Sequence, residues 1–175
     1  MEDVDANAIL SMELSLAAVR AELRMWLRLK GDTAEQAWDD LIEAQTSLRS
    51  AIAVRTQIRV QTVTLENLQR KYEFIERFIF PPQMFSSIGG LAALRECSIC
   101  GCDYEDCSHV VGRAYMGRLC CRIVRQFASL DHVAIVEDPA DKRCRVTHFS
   151  EGDKRRNKMT WRLEEARTGD GTALE

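Results

Sequence analysis

The chain has 175 residues, enough to bury an ordinary core without disulfides, and carries a formal net charge of -3 with a pI near 5.7. Its first 80 residues hold 10 Lys and Arg against 13 Asp and Glu and the remainder 14 against 14, so neither half is basic enough to coat nucleic acid by displacing counterions. The acidic start, with Glu13 interrupting its apolar run, speaks against a secretory leader, and no stretch approaches the roughly 18 to 20 apolar residues of a membrane span, so a soluble, cytoplasmic chain without a membrane partner is expected.

Between residues 5 and 30, Met12, Leu16, Val19, Leu23 and Trp26 recur at spacings of four and three, which predicts an amphipathic helix ended by Gly31. Thr33 followed by Gln36 reads as a capping box opening a second helix, and so short a connection folds the two back as an antiparallel hairpin. The second helix carries Trp38, Leu41, Gln45, Leu48 and Ile52. Further on, Leu65, Leu68, Tyr72, Ile75 and Ile79 continue a heptad-like stripe. Between them the β-branched and polar stretch 54–64 either continues one long helix or breaks it near residues 62–64. An unbroken helix over 34–79 would be too long for its shorter neighbour to cover. Its leftover apolar end, Tyr72, Phe74, Phe78 and Phe80, would pack on the C-terminal module or on a partner, a second copy of the chain included.

Pro81 and Pro82 stop the helix and mark a boundary between a helical arm, 1–80, and a second module, 81–167, with 168–175 as a disordered tail. In the module the expected elements are a loop over 86–90, a helical turn over 91–95, a short helix over 119–127, and two short strands, 132–136 and 143–148, around the turn at Asp138 and Pro139. The charged stretch 154–161 is helical or extended at the surface. The fold class expected is thus α+β, mainly α, a helical hairpin or coiled-coil arm followed by a small metal-binding module.

All seven cysteines but Cys144 fall between positions 97 and 121, a crowding that suits a metal site in a reducing compartment better than a disulfide framework. Cys97 and Cys100, with two residues between them, sit on one turn, with Gly101 free to take positive φ, and Cys107 and His109 offer a thiolate and an imidazole on one side of an extended pair. Cys97, Cys100, Cys107 and His109 make a Cys3His set. Such a set suits a structural zinc ion, and four protein ligands leave it no open position for substrate. Cys120 can stand in for His109 if the chain returns to the site, and His132, Cys144 and His148 are the material for a second site.

Around these ligands Tyr104 and Tyr115 mix with Arg113, Arg118, Arg122 and Arg125, the composition with which some zinc knuckles stack bases and hold phosphate. Arg118, Arg122 and Arg125 also fit a solvated helix face balanced by Asp103, Glu105 and Asp106. The stretch CSICGCDYEDCSHVVGRAYMGRLC, with its CxxCG turn, its CxH pair and the continuation Gly112, Tyr115, Gly117 and Cys120, resembles a small zinc-binding module of uncharacterised bacterial and phage proteins. The following HVAIVEDPADKRCRV looks like the strand and turn after it, so the resemblance covers residues 97–146 and leaves the helical arm unmatched. The resemblance implies zinc and no assigned reaction.

No phosphate-cradling glycine loop, nucleophile elbow or paired catalytic carboxylate is visible, and an enzyme is not expected. The leading expectation is a zinc-stabilised interaction or scaffold subunit that oligomerises or docks a protein partner through its arm. The alternatives are a nucleic-acid-binding accessory protein using the arginines and, more remotely, a metal-dependent nuclease in which His109 would be catalytic.

Overall fold

The computed structural model of the chain describes residues 3–31 and 33–165; the tail expected over 168–175 lies outside them. Three helices, α1 (Asp3–Lys30), α2 (Ala34–Gln57) and α3 (Val63–Ile79), precede seven strands: β1 (Phe85–Cys97), β2 (Ala114–Tyr115), β3 (Arg118–Leu119), β4 (Arg122–Val136), β5 (His148–Glu151), β6 (Lys154–Asn157) and β7 (Leu163–Glu165). This is an α+β fold with a helical N-terminal part, and none of its helices is long and apolar enough to cross a membrane.

The hairpin forms as its short connection predicts. Ser11 Oγ donates to Ala51 O, and the Arg24 and Arg28 guanidiniums both grip the buried Asp40 carboxylate, at 3.0 and 2.9 Å, which fixes α1 antiparallel to α2. The cap differs from the expected box: the Thr33 side chain makes no capping bond and donates instead to Arg28 O, tying the turn to the end of α1.

The face of α1 turned to α2 is not the large apolar one. Ala6, Asn7, Ser11, Ala18, Ala21 and Met25 are buried, while Leu16 is 67 % and Leu23 60 % exposed, and Met12, Val19 and Trp26 also face outward. The physical reason lies on the partner helix. Opposite stand Ala37, Ala44 and Ala51, and small residues on both sides let two backbones approach more closely than leucines would allow.

The helical stretch 34–79 is broken. Gln57 ends α2, Arg59 takes a left-handed φ of 58°, and α3 turns back along α2, where Gln45 donates to Glu76. Of the supposed leftover stripe, Tyr72 and Phe80 are buried in the core, whereas Phe74 and Phe78 stack on each other at 4.4 Å outside it. Glu22, at the junction of α1 and α3, accepts from Lys71 and Trp26, and these bonds hold its carboxyl below the usual range against the opposing effect of burial.

The second half departs most from expectation. Residues 86–90 and 91–95, read as loop and helical turn, belong to β1. The helix expected over 119–127 is the end of β3 and the start of β4. Residues 132–136 are a strand, but as the end of β4, which pairs antiparallel with β1 from Phe85↔Val136 to Cys97↔Arg122. The stretch 143–148 contributes only a bridge, Phe85↔Arg145, while His148 opens the separate sheet β5-β6-β7, which takes up residues 154–157 as β6. Periodicity failed here because the ribbon is exposed on both faces along most of its length, so nothing imposed the apolar and polar alternation by which a half-buried strand is recognised.

One end of the ribbon belongs to the main core: Phe85 packs against Trp38, and the Trp38 indole donates to Lys142 O at 2.9 Å. The other end carries the cysteine-rich loop to the start of α1 and the end of α2. Thirteen residues of strand at about 3.3 Å each match the length of the hairpin, so β1 and β4 run from one end of the helices to the other. Enlarging the tightest contact tests this packing: Ala21→Leu is expected to lower unfolding stability by about 1–3 kcal/mol in denaturant titrations, because nothing between α1 and α2 can yield to the extra carbons.

Candidate metal centre

The loop between β1 and β4 folds on itself twice. At its start, Gly101 N donates to Cys97 O at 2.8 Å and Gly101 takes a φ of +73°, which closes a turn that sets Cys97 and Cys100 on one side. Ile99 N points at Cys97 Sγ from 3.4 Å, as a backbone donor does toward a thiolate. After a single 3-10 turn at Tyr104–Asp106, Cys107 and His109 follow in extended chain, with His109 Nδ1 3.2 Å from Cys107 Sγ and Cys107 Sγ 3.5 Å from Cys100 Sγ.

The donor atoms of Cys97, Cys100, Cys107 and His109 all lie within 4.8 Å of one another, the one such group among the described residues, and they can hold a metal ion. Ligands about 2.3 Å from a tetrahedral ion stand about 3.8 Å apart, and the sulfur–sulfur distance of 3.5 Å and the sulfur–nitrogen distance of 3.2 Å found here lie a little inside that value. His132, Cys144 and His148 form no such group: the His132 ring lies over Gly89, whose missing side chain makes the room, and His148 bonds Thr147 and Glu164.

Cys120 is buried and its sulfur lies 3.9 Å from that of Cys97, so the chain does return to the site, although Cys120 stands outside the four-ligand group. Electrostatics divides the thiols. Burial works against ionising Cys97, but backbone N–H groups of Cys100 and Ile99 and the neighbouring thiols bring it down to about 6. Burial then pushes Cys107 up to about 11, with the Cys97 and Cys100 sulfurs adding to the rise, and Cys120 likewise up to about 11 beside Cys97. One negative sulfur is tolerated and the next is opposed, unless a cation sits among them.

The residues of the Gly112, Tyr115, Gly117 and Cys120 continuation each brace this loop. Gly112 N donates to Cys120 O at 2.8 Å, the Tyr115 hydroxyl accepts from Val110 N, and the Tyr115 ring meets His109 edge-on at 4.7 Å. Gly117, at a φ of +77° that disfavours any side chain, lies against Ala6 of α1, where a Cβ would stand 3.3 Å from Ala6 O.

What sequence reasoning missed is the cradle that receives the loop. Asn7 Oδ1 accepts from Gly117 N at 2.9 Å, Asp3 Oδ1 accepts from Met116 N at 2.6 Å, and Gln57 grips Ala114 at both ends, donating to its O at 2.7 Å and accepting from its N at 2.8 Å. No local signal marks these three side chains, since their partners are backbone groups far away in sequence.

The four arginines do not share a helix face. Arg118 donates to Ser98 O, Arg122 lies over the Tyr104 ring at 5.8 Å, and Arg125 pairs with Glu96 at 2.6 Å on the ribbon, while Arg113 is exposed beside the cradle. Comparison with protein-family models, with curated proteins and with solved structures finds no match for this chain.

Metal content checks the centre directly. One divalent ion per chain is expected by elemental analysis, with a thiolate charge-transfer band when cobalt is supplied, and Cys107→Ser should lose both. Because Cys107 holds its proton at neutral pH until a cation displaces it, loading should release protons. The ion's hold should weaken as pH falls toward about 6, where Cys97 also takes up its proton.

Proposed function

We propose that this chain is a non-catalytic interaction subunit, cytoplasmic, in which a zinc ion held by Cys97, Cys100, Cys107 and His109 fixes the cysteine-rich loop and the surfaces around it take protein partners. Three thiolates and an imidazole within 4.8 Å of one another favour zinc, and four protein ligands would fill its coordination sphere, which gives the ion a structural role. The exposed thiols of Cys102, Cys121 and Cys144 suit a reducing compartment.

The observation that carries the reading is the amount of apolar surface left open on well-anchored elements. Along the ribbon Ile88, Leu91, Phe127, Leu130 and Val133 are exposed, on a two-stranded sheet whose outer edges pair with no other strand among the described residues. A second such surface runs the length of α1. Apolar patches of this extent mark sites of association, and an open strand edge invites it. The nucleic-acid alternative has less support, because Arg118, Arg122 and Arg125 are already engaged within the chain.

Affinity purification of the full chain from its native host, against a Phe127→Asp, Leu130→Asp variant of equal metal content, tests the reading. Partners captured by the parent and lost by the variant are the expected result. Identical captures, or binding to duplex or single-stranded nucleic acid with a steep salt slope, would favour the arginine-based alternative instead.

A further inference from the structure

The outward face of α1 has more order than an incidental apolar patch. Ile9, Met12, Leu16, Val19, Leu23 and Trp26 alternate at spacings of three and four without interruption, the repeat of a coiled-coil seam with Ile9, Leu16 and Leu23 at one core position and Met12, Val19 and Trp26 at the other. Asp5 and Lys30 occupy the next seam positions at either end, and all eight residues are exposed. The helix therefore has two faces, a small-residue face used by α2 and a large-residue face left exposed, with only Trp26, through its bond to Glu22, near the junction with α3.

We infer that this seam pairs with the seam of a second copy of the chain, the two helices antiparallel about a two-fold axis between Leu16 and Val19. The inference rests on the reading of the chain as an interaction subunit and names one of its partners. Charge chooses the occupant and the direction. In an antiparallel pair, seam residues whose numbers add to 35 meet across the axis: Leu16 with Val19, Met12 with Leu23, Ile9 with Trp26, and at both ends Asp5 with Lys30, an opposite-charge pair.

The flanking position gives the same answer. Glu13 and Arg20 lie beside the seam on its open side, both exposed and without a charged partner among the described residues. Antiparallel packing brings Glu13 of each copy beside Arg20 of the other, once on each side of the axis. Parallel packing would stack Asp5 on Asp5 and Lys30 on Lys30 and set Glu13 beside Ala8 and Arg20 beside Ser15, so that both end layers repel and no flanking pair forms. A helix that is self-complementary in one direction only has the isologous character of a two-fold interface.

Charge reversal in the full, metal-loaded chain tests this, read by sedimentation equilibrium and native mass spectrometry across protein concentration. The parent should be a dimer and Leu16→Glu a monomer, with helical circular dichroism and metal content unchanged because Leu16 lies outside the core. Glu13→Arg and Arg20→Glu should each weaken the dimer about tenfold, and the two together should restore it to within about threefold. A parent that is monomeric throughout, a dimer indifferent to Leu16→Glu, or single reversals without effect would each overturn the pairing. A metal-loaded monomer that still captures partners through the ribbon would sink this inference and leave the proposed function standing; loss of those captures as well would sink both.

Discussion

Thiolates do not tolerate one another at close range, and the architecture of the second half of this chain depends on their being held together. The loop between β1 and β4 sets three sulfurs and an imidazole nitrogen within 4.8 Å, with Cys97 already drawn toward its charged form and Cys107 driven away from it. A divalent ion bound among them would convert that repulsion into bonds. It would also close a 13-residue stretch of chain, from Cys97 to His109, with very little regular structure of its own, whose shape otherwise rests on a few backbone bonds such as Gly101 N to Cys97 O.

From that loop the constraint passes outward by contact. Tyr115 braces His109 with its ring, and the short β2–β3 turn that follows delivers Ala114, Met116 and Gly117 to the side chains of Gln57, Asp3 and Asn7. Those bonds fasten the far end of the β1–β4 ribbon to the open end of the helical hairpin, while Phe85 and Trp38 fasten the near end to the core. A two-stranded ribbon by itself is marginal in water. Anchored at both ends it can remain extended over its whole length with both faces wet, which explains how Val133 can be 70 % exposed in a strand.

The helices were legible in the sequence because burial imposes a period on them: Trp38, Leu41, Gln45 and Leu48 lie inside, as their spacing requires. The ligand set was legible for a different reason. Thiols at three- and seven-residue spacings, with an imidazole two residues further on, answer to the geometry of an ion and carry a signal independent of secondary structure. Where reading failed, the missing ingredient was an environment. Residues 86–95 and 122–130 have no buried face to impose alternation. His132, Cys144 and His148 carry ligand chemistry on segments that never converge, and the regular apolar stripe of α1 marks a helix without marking which neighbour receives it.

The outward stripe of α1 holds the general point about this fold. A helix with leucines on one side and alanines on the other is ordinarily placed leucines inward, since burial of large side chains drives folding. Here the hairpin uses Ala18, Ala21, Ala37, Ala44 and Ala51, which bring the two helices close, while Met25, Trp38, Leu41 and Leu48 are among the large apolar side chains it buries. The consequence is that the larger half of the apolar side chains of α1 is spared from the core, at no cost to the specificity of the hairpin, whose register Asp40 sets through Arg24 and Arg28. A chain that needed only to fold would gain by exchanging those outward residues for polar ones, which lose nothing in the core and remove a route to aggregation. Their unbroken heptad order, with charges that would complement one another across a single axis, is the ground for assigning them to a neighbour and not to the core.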